Sequence, residues 1–136
     1  MSGNLKILLI EDDLDDVELL EEALKTHSVS YSIEVITDGS DALNHIKSSD
    51  ARPDIVILDL NLPKVHGRQL ILELKSSKVH QDIPLLILTT SSAKEDIDYS
   101  YSNGADKFLI KPTTLEKIKE TVDTILSLTR PRRINA

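Results

Sequence analysis

The chain has 136 residues, 40% of them hydrophobic, with a formal net charge of −7 and no cysteine. This length and hydrophobic content predict one globular domain with its own core. The lack of cysteine excludes disulfides and Cys-based zinc sites. The acidic charge argues against nucleic acid binding, because neutralising phosphates requires a basic surface. No apolar stretch approaches the roughly 18 residues that span a bilayer, so we expect a cytoplasmic protein without a membrane segment.

Short apolar runs alternate along the chain with longer segments of helical period, which is typical of a parallel sheet whose strands are joined by helices. Four runs are almost continuously hydrophobic and indicate strands covered on both faces. The second run is interrupted by Glu34 and is expected at a sheet edge. The predicted strands are 5–10, 33–36, 55–58, 85–88 and 108–110.

The segments between the strands predict five helices. Val17, Leu20 and Leu24 recur at helical spacing in the first segment. Ser92 and Thr113 each stand three residues before a glutamate, which is the capping-box pattern of a helix start. We therefore predict an α/β fold with a doubly wound, five-stranded parallel sheet, flavodoxin-like, of strand order 2-1-3-4-5. Residues 1–136 form one domain in this interpretation, with a core at 5–128 and an exposed basic tail at 129–136.

Charged and polar side chains directly follow the predicted strands. Glu11 and Asp12 follow the first strand, Asp59 the third, Thr89 the fourth and Lys111 the fifth. Ligands of open parallel sheets bind at the carboxyl ends of the strands, so we expect these side chains to converge. Two like charges 4 Å apart repel by about 4 kcal/mol at an effective dielectric near 20, and Lys111 offsets only one of them. The remaining negative charge predicts a hard cation, Mg²⁺, held by Glu11, Asp12 and Asp59.

These residue types suit phosphoryl transfer. An aspartate such as Asp59 can act as a nucleophile and become an acyl phosphate. The ammonium of Lys111 and the metal would balance charge on the phosphoryl oxygens, and the Thr89 hydroxyl can bond one of them. The acids that follow, at 13, 15 and 16, lie in the first helical turn, where we assign them to stabilisation by the helix dipole. The four histidines show no metal-ligand spacing and are expected on the surface.

Four segments carry a resemblance to a known family: 8–13 (LLIEDD), 54–63 (DIVILDLNLP), 87–89 (ILT) and 104–112 (GADKFLIKP). In this order and spacing the chain resembles, over residues 5–128, the CheY-like receiver domains of two-component response regulators. The resemblance implies that Asp59 is the phosphoacceptor and that Asn61 binds Mg²⁺ through its backbone carbonyl. It also implies that Thr89 and Phe108 change conformation together as a switch, and that the peptide bond before Pro112 is cis.

The same resemblance implies partners. A histidine kinase would donate the phosphoryl group, and the output would be protein binding, without a catalytic activity beyond the domain's own phosphorylation and dephosphorylation. No output domain is expected after the last helix. The segment around Asp96, Ile97 and Tyr101 resembles single-domain receivers paired with phytochrome-type histidine kinases. Homodimers through helix 4, strand 5 and helix 5 are common in this family.

Two departures and two alternatives accompany this interpretation. Glu11 stands where aspartate is more usual, and Phe108 lacks a tyrosine hydroxyl, so the switch would work by packing alone. A phosphatase of the haloacid dehalogenase type also uses a nucleophilic aspartate after a strand, but it needs a second acid where this chain has Asn61. A pseudo-receiver that signals without phosphorylation would need a damaged site, and no expected group is missing.

Overall fold

The computed structural model describes residues 4–134, which form a parallel sheet of order β2-β1-β3-β4-β5 with helices between the strands. This order confirms the predicted doubly wound fold, with β2 at an edge. None of the helices described is long and apolar enough to cross a bilayer. The elements are β1 (Leu5–Ile10), α1 (Leu14–Thr26), β2 (Tyr31–Ile36), α2 (Gly39–Ser48), β3 (Ile55–Leu58), α3 (Gly67–Ser76), β4 (Leu85–Thr89), α4 (Lys94–Ser102), β5 (Lys107–Ile110) and α5 (Leu115–Ile134).

The core lies on both faces of the sheet. Helices α1 and α5 cover one face, where Leu20 and Ile125 pack against β1 and β3. Helices α2 and α3 contribute Ile46 and Leu70 to the opposite face, together with Phe108 of β5. Burying one Leu or Ile side chain stabilises the fold by about 1.5–3 kcal/mol. This two-sided burial explains why β3 and β4 are hydrophobic at nearly every position.

Side-chain caps fix where several helices begin. Asp13 accepts a hydrogen bond from the Asp15 N–H at the start of α1, and Thr114 accepts one from the Lys117 N–H in the first turn of α5. The cap is therefore Thr114 rather than the predicted Thr113, and it is not a capping box, because its third following residue is Lys117 instead of a glutamate. The box predicted at Ser92 is wrong, because α4 follows Ala93 and has no side-chain cap bond there. Ser91 instead donates its hydroxyl to Asp96, 2.5 Å away.

Two further regions differ from the sequence predictions. Helix α5 continues to Ile134, so the segment predicted as a basic tail is helical over residues 129–134, while 135–136 lie outside the described residues. The Thr129 side chain is buried and donates to the Ile125 carbonyl. His80 is buried rather than on the surface, with Nδ1 beside the Ser77 hydroxyl. Its Nε2 has no hydrogen-bond partner among the described residues.

Gly67 allows α3 to approach the chain that leaves β3. A Cβ at this position would lie 2.4 Å from the Cα of Leu60 and 2.9 Å from the Leu60 carbonyl oxygen. The Gly67 N–H also donates to that carbonyl. A larger residue would force the two backbones apart. The glycine therefore holds the loop directly after Asp59 close to the first turn of α3.

Candidate functional site

Three acidic residues meet at the carboxyl ends of β1 and β3. These strands are hydrogen-bonded neighbours, with Ile10 paired to Leu58, so Glu11 and Asp59 emerge side by side. Both are buried, at 3% and 4% exposed, whereas Asp12 is open to solvent. One carboxylate oxygen from each of Glu11, Asp12 and Asp59 lies within 4.8 Å of the others. The structure thus brings together the three acids that the sequence predicted as metal ligands.

Lys111 joins this cluster from the end of β5. Its Nζ lies 2.8 Å from Glu11 Oε1 and 2.9 Å from Asp59 Oδ2. The backbone holds the lysine in place, because its N–H donates to the Thr89 carbonyl at 2.8 Å. The ammonium is therefore an internal cation that bridges two buried carboxylates.

Thr89 and Asn61 bond the second oxygen of Asp59. The Thr89 hydroxyl is fully buried and donates to Asp59 Oδ1 at 2.8 Å, and the Asn61 N–H donates to the same atom at 3.1 Å. The Asn61 side-chain amide lies 3.4 Å from the Thr89 hydroxyl. The structure thus places both predicted residues at Asp59. The predicted role of the Asn61 carbonyl as a metal ligand stays a prediction.

These contacts keep Asp59 and Lys111 charged. Burial alone would raise the pKa of Asp59, but hydrogen bonds from the Asn61 N–H, Lys111 and Thr89 outweigh it, and the pKa lies below its usual value. Burial would lower the pKa of Lys111, yet its bonds to Asp16, Glu11 and Asp59 raise it above the usual value. At neutral pH the site therefore contains an ionised carboxylate in contact with an ammonium.

Glu11 is the acid of the cluster whose ionised form is disfavoured. Burial raises its pKa from 4.5 to about 7, although hydrogen bonds from Lys111 and the Asp13 N–H oppose the rise. The nearby Asp59 charge adds to it. Two buried carboxylates and a third at the surface exceed the charge that one lysine can neutralise. Such an oxygen-rich, over-negative set fits a hard divalent cation, which Mg²⁺ sites typically bind through one or two carboxylates and water.

Asp16 is a site residue that the sequence analysis missed. It was assigned to the helix dipole, but its Oδ2 lies 2.8 Å from Lys111 Nζ, the same distance as Glu11. A signal was present in the spacing, since residues four apart lie on one face of a helix, and Asp16 precedes the buried Leu20 of α1 by four. Of the three acids assigned to the dipole, Asp13 does cap the helix.

The predicted cis bond before Pro112 is wrong for this structure, because no peptide bond within residues 4–134 is cis. For a bond that precedes proline, the trans form is intrinsically favoured by roughly 0.5–1 kcal/mol. Lys111 reaches Glu11 and Asp59 with the bond in this form.

A groove lies beside the site at the β5 edge of the sheet. It has a volume of about 520 Å³ and lies among α4, β5 and α5. Phe108 lines it but is itself buried, and its N–H donates to the Tyr101 hydroxyl at 3.0 Å. Tyr101 and Ile110 are 45% and 54% exposed. The face predicted for dimers therefore presents apolar side chains beside the aromatic residue of the predicted switch.

Comparisons with known proteins agree with this geometry. Residues 7–123 match the response regulator receiver domain family. The probable methanogenesis regulatory protein FilR2 of Methanothrix harundinacea is 36% identical over 123 residues, 88% of this chain and 79% of FilR2. Response regulator Rcp1 of Synechocystis is 33% identical over 126 residues, 89% of this chain and 86% of Rcp1.

Solved structures share the fold over nearly the whole chain. The phosphorylated cyanobacterial phytochrome response regulator RcpA matches with a TM-score of 0.83 at 32% identity, covering 93% of this chain and 94% of RcpA. The Mn²⁺-bound form of Rcp1 matches with a TM-score of 0.80 at 33% identity, over 90% of this chain and 92% of that one. With its family matched over most of its length and its fold shared with RcpA, the chain belongs to the response regulator receiver domains of two-component signalling.

Proposed function

We propose that this receiver domain is a phosphorelay switch that accepts a phosphoryl group from a histidine kinase onto Asp59 in a Mg²⁺-dependent reaction. The observation that carries the proposal is the set of contacts at one carboxylate. Lys111 lies 2.9 Å from Asp59 Oδ2, while Thr89 and the Asn61 N–H bond Oδ1. Accepting phosphoryl groups from a kinase is the general role of receiver domains, and their catalytic activity does not extend beyond their own phosphorylation.

Asp59 is suited to be the nucleophile because it is ionised and held in one orientation. In the reaction a carboxylate oxygen of Asp59 forms a bond to phosphorus. The bond from phosphorus to the donor breaks, and its electron pair leaves with the donor, either the histidine nitrogen or, for acetyl phosphate, the acetate oxygen. Three hydrogen-bond partners fix where the two oxygens point, which reduces the orientational cost of the reaction.

Lys111 and Thr89 supply the polar contacts for the incoming group. The transition state spreads negative charge over the equatorial phosphoryl oxygens, so a fixed cation and a hydroxyl donor stabilise it. Lys111 is 11% exposed at its side chain, which excludes most competing water. The Thr89 hydroxyl can turn from Asp59 towards a phosphoryl oxygen, since a hydroxyl rotates freely about its C–O bond.

Glu11, Asp12 and Asp59 would hold the metal, with the Asn61 carbonyl as a further ligand. Bound Mg²⁺ would screen the charge between the attacking carboxylate and the phosphoryl oxygens. The donor set favours such an ion, because its acidic oxygens lie within 4.8 Å and outnumber the ammonium. Rcp1, a relative at 33% identity, is known as a Mn²⁺-bound form, which supports a divalent ion here.

The charge added by phosphorylation would change the conformation of Thr89 and Phe108. Phosphorylation adds about −1.5 to −2 charges and new acceptor oxygens. Thr89 stands at the end of β4, and Phe108 is paired across the sheet to Ile87 on that strand. A shift of Thr89 would therefore be transmitted by packing to the face of α4, β5 and α5, where we propose that a partner or a second copy binds. RcpA is a phytochrome response regulator, which favours a phytochrome-type kinase as donor and the cytoplasm as the location.

The proposal is tested with acetyl phosphate and Mg²⁺ on the purified protein. We expect intact mass spectrometry to show the addition of one phosphoryl group, and D59N to remain unlabelled. The matched control is D50N, because Asp50 is an exposed aspartate in a loop away from the site; it should be labelled as the wild type is. Label retained in D59N would place the chemistry elsewhere. Wild type that stays unlabelled would favour a pseudo-receiver, and steady hydrolysis of a phosphomonoester would favour a phosphatase.

A further inference from the structure

Lys111 has three carboxylate partners, and their roles differ. Glu11 and Asp59 belong to the acidic cluster that could hold a cation. Asp16 contacts the same Nζ at 2.8 Å, yet among the described residues the cluster does not include it. Asp16 is thus a carboxylate that touches the catalytic lysine without a place among the metal ligands.

The proposed reaction changes the other two partners. When an oxygen of Asp59 bonds to phosphorus, that side chain ceases to be a free carboxylate and its attraction for the ammonium weakens. A metal held by Glu11 would compete with Lys111 for that carboxylate. Neither event involves Asp16, so its contact with Nζ can persist through the reaction.

Backbone hydrogen bonds at the start of α1 hold Asp16 in place for this contact. It lies in the first turn of α1, where its N–H donates to the Asp13 carbonyl, and Asp13 itself caps the helix. The pair joins residues 95 positions apart and ties the start of α1 to the end of β5. The Lys111 side chain is flexible by nature, so a fixed anion on one side restricts where its ammonium can go.

We propose that Asp16 is a positioning residue for phosphorylation. It keeps the Lys111 ammonium beside the phosphoryl group when Asp59 is bonded to phosphorus and Glu11 is bound to the metal. The inference rests on the proposed function of Asp59. It differs from a helix-dipole role, which any acid in the first turn of α1 would serve equally well. Asp15 provides that comparison, because it is the adjacent aspartate in the same turn and is exposed.

The test compares D16N with D15N in labelling by acetyl phosphate and Mg²⁺. Each change removes one negative charge from the same turn, so effects on the dipole and on attraction of the anionic donor are matched. We expect the maximal labelling rate of D16N to fall about tenfold, since misplacing a catalytic group by a fraction of an ångström has effects of this order. The donor concentration at half-maximal rate should change little, and D15N should stay within about twofold of wild type.

Two further measurements test whether Asp16 acts through Lys111. In a K111A background, which is itself slow, D16N should cause no additional loss of rate. In the metal-free protein labelled with ¹⁵N-lysine, the Lys111 ammonium resonance should shift in D16N and stay unchanged in D15N. This second readout does not depend on the reaction.

The outcomes separate the two proposals. Wild type that labels at Asp59 while D16N matches D15N would overturn the role of Asp16 and leave the proposed function standing. An equal loss from D16N with and without Lys111 would also overturn it. Wild type that does not label at all would refute the proposed function and, with it, this inference.

Discussion

Replacing Glu11 by glutamine tests whether burial forces Glu11 to hold a proton, and the readout is protein stability. Burial raises the pKa of Glu11 from 4.5 to about 7 in the metal-free protein. Between these values the folded state holds a proton that the unfolded chain has released. The unfolding free energy therefore contains a contribution that is complete below pH 4.5 and is lost as pH rises through about 7. At about 1.4 kcal/mol for each pKa unit, the whole loss is about 3 kcal/mol.

Glutamine has the same shape as protonated glutamate but cannot ionise, so this pH-dependent loss should disappear in E11Q. We expect the unfolding free energy of E11Q, relative to wild type, to increase by about 2 kcal/mol between pH 5 and pH 8. The increase arises because wild type must bury a charge at the higher pH, next to Asp59, which is itself ionised.

The measurement is urea unfolding with EDTA present, so that no metal compensates the charge. E18Q is the matched control, since Glu18 lies exposed on the same α1 helix, and its stability relative to wild type should stay the same at both pH values. A difference between E11Q and wild type that does not change with pH would refute the inference that Glu11 is forced to hold its proton. Such a result would also weaken the argument that this site has excess negative charge for a cation to neutralise.

Two further predictions concern other parts of the molecule. I110E places a charge on the half-exposed face of β5 and should lower the fraction of dimer formed after phosphorylation, measured by light scattering; L72E, at a 44% exposed position on α3, should not. His80 has a lowered pKa because of burial, with His45 and Arg52 adding to the effect. As the neutral ring is favoured in the fold, stability should fall as pH drops below 6.5, more steeply than in H80Q, in urea unfolding; parallel curves for the two proteins would contradict this.

The fold was predictable because burial of a strand or helix determines the pattern of hydrophobic residues in its own sequence. A parallel strand covered on both faces must be apolar at nearly every position, and β3 and β4 show this directly. The edge strand was less clear. It begins at Tyr31, two residues before the predicted start, because its residues alternate between half-buried and exposed positions and the first pair resembles a polar loop.

Most of the candidate site was also predictable, since strand order alone determines which strand ends are neighbours. Once β1 and β3 are adjacent, Glu11 and Asp59 must lie side by side. The start of α4 was not predictable in this way. Ser92 and Glu95 have the capping-box spacing, but Ser91 bonds Asp96, which also accepts two bonds from Arg68 on α3. A contact between helices decided the local structure, and the local pattern contains no information about it.

The contact between Asp16 and Lys111 could not be predicted from the helix-dipole rule alone. Acids at 13, 15 and 16 are equivalent for the helix dipole, so the first-turn rule cannot choose among them. The rotation of α1 distinguishes them, and burial of Val17 and Leu20 against the sheet fixes that rotation. Asp16 precedes Leu20 by four residues and therefore lies on the same face, one turn closer to the end of β1. The apolar stripe of α1 and the expected position of Lys111 together select Asp16 from the sequence alone.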